Sequence, residues 1–281
     1  MRVAAIQTEM GLSPEVTVPL AEAAMAAAMQ AAERPDFLIL PEYFSYYGLD
    51  QKRSVELAQP LRETPGFRMA QSFAKRHKVA VQAGTILASV PGEDRVENVS
   101  VVFDREGEVI AEYRKIHLFD IDDLGNGAFR ESDYIKPGDK IVTWELEGTV
   151  FGTAICFDGR FPELFRALRL RGAEIITLPA AYTTVTGEAH WELLARARAA
   201  ETQCHFIACG LGGSVVVDGQ KKSCYGHSVI VDAWGRVLAR AGKGAEIIQT
   251  TLDMESLPVI RKNMPVMKQR RLLGDAAVVG F

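Results

Sequence analysis

The chain has 281 residues, 48% of them apolar and 24% charged, the mix of a soluble globular protein with one large domain or two modest ones. A formal net charge of −4 with no basic block argues against a nucleic-acid binder, and no apolar run approaches membrane-spanning length. Four cysteines, at 156, 204, 209 and 224, form no CxxC pair and suggest no disulfide framework, so neither a zinc ribbon nor a thioredoxin-like site is expected.

Strands and helices alternate along the chain, with no low-complexity linker and no short repeat. "RVAAIQT" reads as a buried strand; as an N-terminus it is too short for a signal-peptide core and has no cleavage motif. A helix is expected over 13–35, with Ser13 as cap, Pro14 at its first position and Pro35 closing it. "DFLILPE" is a second buried strand. "GFRMAQSFAKRHK" is a helix that leads into the strand "VAVQAGTILA". "NVSVVFDREGEVIAEYRK" reads as two strands joined by a turn at Asp104 to Gly107. A strand then ends at Cys156. The helix "PELFRALRLRGA", the strand "EIITLPAA", the helix "GEAHWELLARARAAETQ" and the strand "CHFIACG" follow. "GHSVIVDAWGRVLARAG" is a hairpin turning at Ala233 to Gly235. A last strand lies near "AEIIQTTLD", before a basic tail helix, "SLPVIRKNMPVMKQRR".

Such alternation implies sheets covered by helices. The hairpins mean that these sheets are not purely parallel, although "FLIL" and "EIITL" have the continuous apolar character of strands buried on both faces. Two sheets packed together with helices outside fit this pattern, and so does a single wide sheet.

Open α/β sheets place their sites beyond the carboxyl ends of strands. Three polar residues stand at such ends: Glu42 after "FLILP", Lys115 after "EVIAEYR" and Cys156 after "GTAI". Each alone has an ordinary reading, as a loop-holding carboxylate, a solvated lysine and a small buried thiol. Converging, they make a specific chemistry. Glu42, with its pKa raised by burial, can take the thiol proton and later return it to a leaving amine. Lys115 can meet negative charge developing on a carbonyl oxygen, and the backbone N–H of Phe157 can donate to the same atom.

The segments "LPEYF", "EYRKIHLFDID" and "GTAICFDGRFPEL" resemble the three signature segments of the nitrilase superfamily of carbon–nitrogen hydrolases, in the family's order. The likeness runs from "VAAIQT" to "LPVIRKNMPV". It implies an α/β fold, a four-layer α-β-β-α sandwich in one domain over 1–281, with the tail from about 255 to 281 used in dimer packing. It also implies dimers or larger homo-oligomers and a Glu-Lys-Cys mechanism through a thioester, without cofactor or metal. By this resemblance Glu42 is the general base, Lys115 the oxyanion-stabilising lysine and Cys156 the nucleophile. Glu131, in "AFRES", matches a further family glutamate that holds the lysine.

"HLFDID", "CFDGRFPEL" and "TGEAHWELLARARAAETQ" look like the amidase branch that includes ω-amidase and deaminated-glutathione amidase. In that branch Arg160 is associated with a substrate's distal carboxylate, which a guanidinium fork grips in a bidentate way. Thr186 supplies a hydroxyl to the same end. The ordinary alternatives are an ion pair of Arg160 with Asp158 or Glu163, and a helix-cap role for Thr186. Asp158 reads as structural; His117 reads as packing and hydrogen-bonding near Lys115, and His190 and Trp191 as helix packing rather than a ligand pair. "GLGG" at 210–213 reads as a loop. The loop over 122–129 departs from the proline-bearing loop of close relatives.

The expectation is a cytoplasmic amidase for a small linear amide with a carboxylate at its other end, such as α-ketoglutaramate or deaminated glutathione. No nucleic-acid or membrane partner is expected. The alternatives are an N-carbamoyl amino acid amidohydrolase, an aliphatic nitrilase and a non-catalytic scaffold on the same fold.

Overall fold

Along the first strand, β1 (Arg2–Gln7), every residue from Val3 onward is buried, yet successive side chains enter different cores. Val3 and Ala5 join one apolar cluster, Ala4 and Ile6 another. β2 (Phe37–Ile39) repeats the split, with Phe37 and Ile39 on one side and Leu38 on the other. Side chains of a strand alternate between its faces, so a run that is apolar at every position needs cover on both. The computed structural model, which describes residues 1–47, 51–122, 128–217 and 219–271, shows what provides that cover.

The first sheet continues with β3 (Ala80–Ser89), β4 (Val96–Phe103) and β5 (Val109–Arg114). β1, β2 and β3 are parallel, and β4 and β5 add antiparallel. Helix α1 (Pro14–Ala28), the short α2 (Gln51–Leu57) and α3 (Pro65–His77) lie in this half of the chain. α1 and α3 place Ala21, Met25, Phe67 and Phe73 against Ala4, Leu38 and Val81 on the sheet's outer face. A ribbon of β6 (Asp120–Ile121) and β7 (Phe129–Arg130) follows, then β8 (Ile135–Lys136), which pairs with β4.

The second sheet takes β9 (Thr143–Leu146), β10 (Thr149–Thr153), β11 (Ile175–Ala180) and β12 (His205–Gly210). A separate ribbon, β13 (Ser214–Val217) with β14 (Gln220–Ser223), precedes β15 (Val229–Val231) and β16 (Val237–Arg240). Helices α4 (Pro162–Leu170) and α5 (Thr184–Thr202) cover its outer face through Phe165, Leu168, Trp191 and Ala195. The chain returns to the first sheet with β17 (Glu246–Thr251), antiparallel to β1. The strand orders are β17-β1-β2-β3-β4-β5 and β9-β10-β11-β12-β15-β16, the same scheme twice.

Between the sheets lies a cluster drawn from both, including Val3, Phe37, Trp144, Phe151, Ile175 and Ile207. Trp144 stacks on Phe151 at 4.1 Å between ring centroids, and Phe37 lies 5.2 Å from Phe151. The layers are therefore α-β-β-α, as the resemblance implies, and a single wide sheet is excluded.

Three elements differ from expectation. The first helix stops at Ala28, where Arg34 Nε donates to the Met29 carbonyl and closes its end. The strand leading to Cys156 stops at Thr153, and Cys156–Arg160 form a 3₁₀ turn. The tail is two helices, α6 (Ser256–Asn263) and α7 (Val266–Gln269), because Pro265 cannot continue the first. Leu257 of α6 is buried, and Arg261 donates to the carbonyls of Ala173 and Gln203. Among the described residues no helix is long and apolar enough to cross a membrane.

Candidate active site

Glu42 lies just beyond β2, Lys115 directly follows β5, and Cys156 lies just beyond β10. Two antiparallel pairings separate β5 from β3, so β5 runs in the direction of β2 and delivers its lysine to the same end of the sheet. There Lys115 Nζ lies 3.0 Å from Glu42 Oε1 and 2.8 and 2.9 Å from the two oxygens of Glu131. None of the three side chains is more than 2% exposed. Charges this deep persist only when paired and hydrogen-bonded.

The two carboxylates are satisfied differently. Glu131 Oε1 accepts from Lys115 and from the Tyr43 hydroxyl at 2.8 Å; Oε2 accepts from Lys115 and from the Phe119 N–H at 2.5 Å. A carboxylate has about four acceptor positions, so Glu131 is full. Glu42 Oε1 accepts from Lys115 and from Asn98 Nδ2 at 2.9 Å, while Oε2 accepts from the Ala181 N–H at 2.9 Å. One acceptor position remains on Oε2, and the Cys156 thiol interacts with this carboxylate.

Electrostatics follow from this burial. Desolvation raises the Glu42 pKa; Lys115 opposes the rise and Glu131 reinforces it. Three hydrogen-bond donors aimed at Glu42 favour its ionised form and oppose that rise. Desolvation, then the Glu42 charge, push the Cys156 thiol up. Desolvation alone would lower Lys115, but Glu131 and Glu42 together hold its ammonium well above the usual lysine range. The thiol is thus held neutral beside a lysine held as its ammonium.

Backbone geometry aims the thiol. Cys156 has φ of +47° and Tyr43, next to Glu42, +58°. For residues with a Cβ this left-handed region costs about 1–2 kcal/mol and persists only where the surroundings enforce it. At Cys156 the enforcement comes from Asp158, which is fully buried. It accepts from the Ile155 N–H at 2.8 Å, the Tyr113 hydroxyl at 2.7 Å and the His117 N–H at 2.9 Å. His117 Nδ1 lies 2.7 Å from the same carboxylate, and its ring stacks on Phe161 at 3.7 Å. Asp158 therefore ties the turn bearing Cys156 to the segment bearing Lys115, in keeping with its structural reading.

A pocket opens onto the thiol, lined by Cys156, Phe157, Arg160, Tyr182, Thr183 and Thr186 among others. All of the residues singled out from the sequence thus gather at one place: Glu42, Lys115, Glu131 and Cys156 in a buried network, Phe157, Arg160 and Thr186 in the pocket beside it.

The two ordinary alternatives give way to other arrangements. Arg160 makes no salt bridge with Asp158 or Glu163; its guanidinium lies 5.5 Å from the Phe157 ring centroid and 5.6 Å from that of Tyr182, with both Nη atoms 3.3 Å from His190 Nδ1. His190 is therefore a hydrogen-bonding partner as well as a packing residue. The cap of α5 is Thr183, which accepts from the Thr186 N–H; Thr186 lies inside the first turn. Of the divergent loop over 122–129, residues 123–127 lie outside the described residues.

Sequence reasoning missed Asn98, Tyr43, Tyr182 and the Ala181 N–H. Asn98 carried a signal, as an amide in the strand "VENVSVVF", which is apolar at most other positions, because a buried amide must find partners. Tyr43 adjoins Glu42 but nothing in "LPEYF" says that its hydroxyl reaches Glu131. Among the described residues no group of three His, Cys, Asp or Glu side chains is arranged to hold a metal ion.

The carbon–nitrogen hydrolase family profile matches residues 2–262. Omega-amidase NIT3 of Saccharomyces cerevisiae is 36% identical over 275 residues, covering 96% of this chain and 93% of that one. Deaminated glutathione amidase of Yersinia enterocolitica is 38% identical over 221 residues, 78% of this chain and 76% of that one. The crystal structure of S. cerevisiae Nit3, a member of branch 10 of the nitrilase superfamily, superposes with a TM-score of 0.85 at 31% identity, covering 97% of each chain. Sequence and architecture agree along nearly the whole length, and the chain belongs to the carbon–nitrogen hydrolase family of the nitrilase superfamily, as a hydrolase of amide carbon–nitrogen bonds.

Proposed function

We propose that the substrate is a short linear amide bearing a carboxylate at its far end, cleaved through a thioester on Cys156. The observation that carries this reading is Arg160. It is a guanidinium in the same small pocket as the thiol, with no carboxylate partner among the described residues. Thr186 and the first turn of α5 border that pocket. The N–H groups and dipole at the start of a helix favour a negative charge. The relatives' names supply two candidates of this chemistry, an ω-amide and deaminated glutathione.

Glu42 Oε2 takes the Cys156 proton as Sγ attacks the amide carbon. The oxygen that becomes negative meets the Lys115 ammonium and the Phe157 N–H, one of the N–H groups at the start of a helical turn that lack internal partners. Glu42 returns the proton to the nitrogen, the carbon–nitrogen bond breaks, and ammonia or an amine leaves. Water then gives a proton to Glu42 and attacks the thioester. Collapse releases the acid, and Glu42 restores the thiol. Glu131 holds Lys115 in place throughout.

A screen of short amides, with and without a distal carboxylate, tests this reading by product mass and ammonia release. The expected result is turnover of amides that bear the carboxylate, by a factor of ten or more over neutral ones of equal length, on the order of one charge-assisted contact. Equal turnover of both classes would remove the carboxylate from the account. Release of carbon dioxide would identify an N-carbamoyl amino acid as the substrate instead.

The enzyme is further proposed to be cytoplasmic and dimeric. Four free cysteines support a reducing compartment. Leu170 of α4 and Leu193 of α5, 58% and 66% exposed on the outer layer, support a helix-to-helix dimer contact.

A further inference from the structure

Arginine has five N–H donors and no acceptor. Where both Nη atoms of Arg160 lie 3.3 Å from His190 Nδ1, that nitrogen must be the acceptor. As the acceptor it presents its lone pair to Arg160, the tautomer with the ring hydrogen on Nε2. One acceptor shared by two donors faces the terminal end of the guanidinium. The edge formed by Nε and the outer hydrogen of one Nη stays available, and it too can grip a carboxylate with two parallel bonds. The rings of Phe157 and Tyr182, at 5.5 and 5.6 Å, set the guanidinium's place within the pocket. His190 sits on α5, the helix whose first turn lines that pocket.

We propose that His190 is a specificity-positioning residue. Its unprotonated Nδ1 anchors the end of Arg160, and the free edge of the guanidinium is thereby presented to the far carboxylate of the substrate. This rests on the reading of Arg160 as the carboxylate anchor. Histidine suits the place for two reasons. A carboxylate there would neutralise Arg160 and compete with the substrate, whereas an imidazole nitrogen accepting from it orients the charge without cancelling it. A lysine or arginine would repel it.

The test compares steady-state kinetics on an amide that bears a distal carboxylate and on its neutral methyl ester. The variants are His190→Leu, His190→Asn, His190→Gln and Arg160→Met. His190→Leu should raise KM for the carboxylate substrate about tenfold with little change in kcat, the signature of lost uniform binding, and leave the ester unchanged. His190→Asn places an amide oxygen near the position of Nδ1 and should restore most of the affinity. His190→Gln places its amide nearer the position of Nε2 and should not. This Asn/Gln contrast keeps the test sharp even if the leucine variant folds poorly. If Arg160→Met weakens the carboxylate substrate selectively but the histidine variants do not, or if Asn and Gln behave alike, the role of His190 is overturned and the Arg160 reading stands. If Arg160→Met slows both substrates equally, the carboxylate reading itself fails, and this inference with it.

Discussion

Two glutamates share one lysine, and the count of their hydrogen bonds separates them. Glu131 accepts four hydrogen bonds, from Lys115, Tyr43 and Phe119, and has no acceptor position to spare. Glu42 has three and can receive a proton. This division makes a prediction about pH. In the proposed mechanism turnover needs Glu42 ionised, and burial raises its pKa. The acid limb of kcat/KM should therefore lie above the ordinary glutamate value of about 4.3, with activity falling as pH drops through it. Lys115 is held above the lysine range, so no alkaline limb should appear below about pH 10. With Glu42 taking the proton during attack, as proposed, the high thiol pKa of Cys156 should leave no mark on the profile. A rising limb at pH 8 or above would mean that the reaction waits for a preformed thiolate, and would refute Glu42 as base.

At the scale of elements, the ends of β2, β5 and β10 bring Glu42, Lys115 and Cys156 together, and these ends were legible in the sequence. An apolar strand that stops at a charge is a local pattern, and Glu42, Lys115 and Cys156 each sit at one. The family resemblance joined them; spacing alone did not, because strands far apart in the chain become neighbours only through tertiary packing. Other features were hidden for related reasons. "TTVT" offers several threonines of equal capping chemistry, and only the helix start at Thr184 selects Thr183 over Thr186 as the cap. The arrangement of Asn98, Tyr43 and Glu131 depends on side chains from β4 and two loops meeting across the sheet. The hydrogen bond between Arg160 and His190 spans 30 residues and has no local signature. The strand to Cys156 ends early because Asp158 draws the Ile155 N–H into the 3₁₀ turn.

At the scale of the whole molecule, the two sheets repeat one strand order and enclose a shared apolar layer, while α1, α3, α4 and α5 cover the outside. This leaves Leu170 and Leu193 on the outer helical layer without cover from the described residues of the chain. A dimer through that face should be seen by light scattering, and Leu193→Glu should shift it toward monomer with the fold intact. A wild-type monomer, or a dimer indifferent to Leu193→Glu, would contradict the contact. The central claim is reached most directly by rapid-quench mass spectrometry of the enzyme mixed with an ω-amide of a keto acid. The account predicts one added acyl group on the peptide containing Cys156, absent from Cys156→Ala and strongly reduced in Glu42→Gln. Turnover by Cys156→Ala, or an acyl group found on Cys204, Cys209 or Cys224 instead, would contradict it.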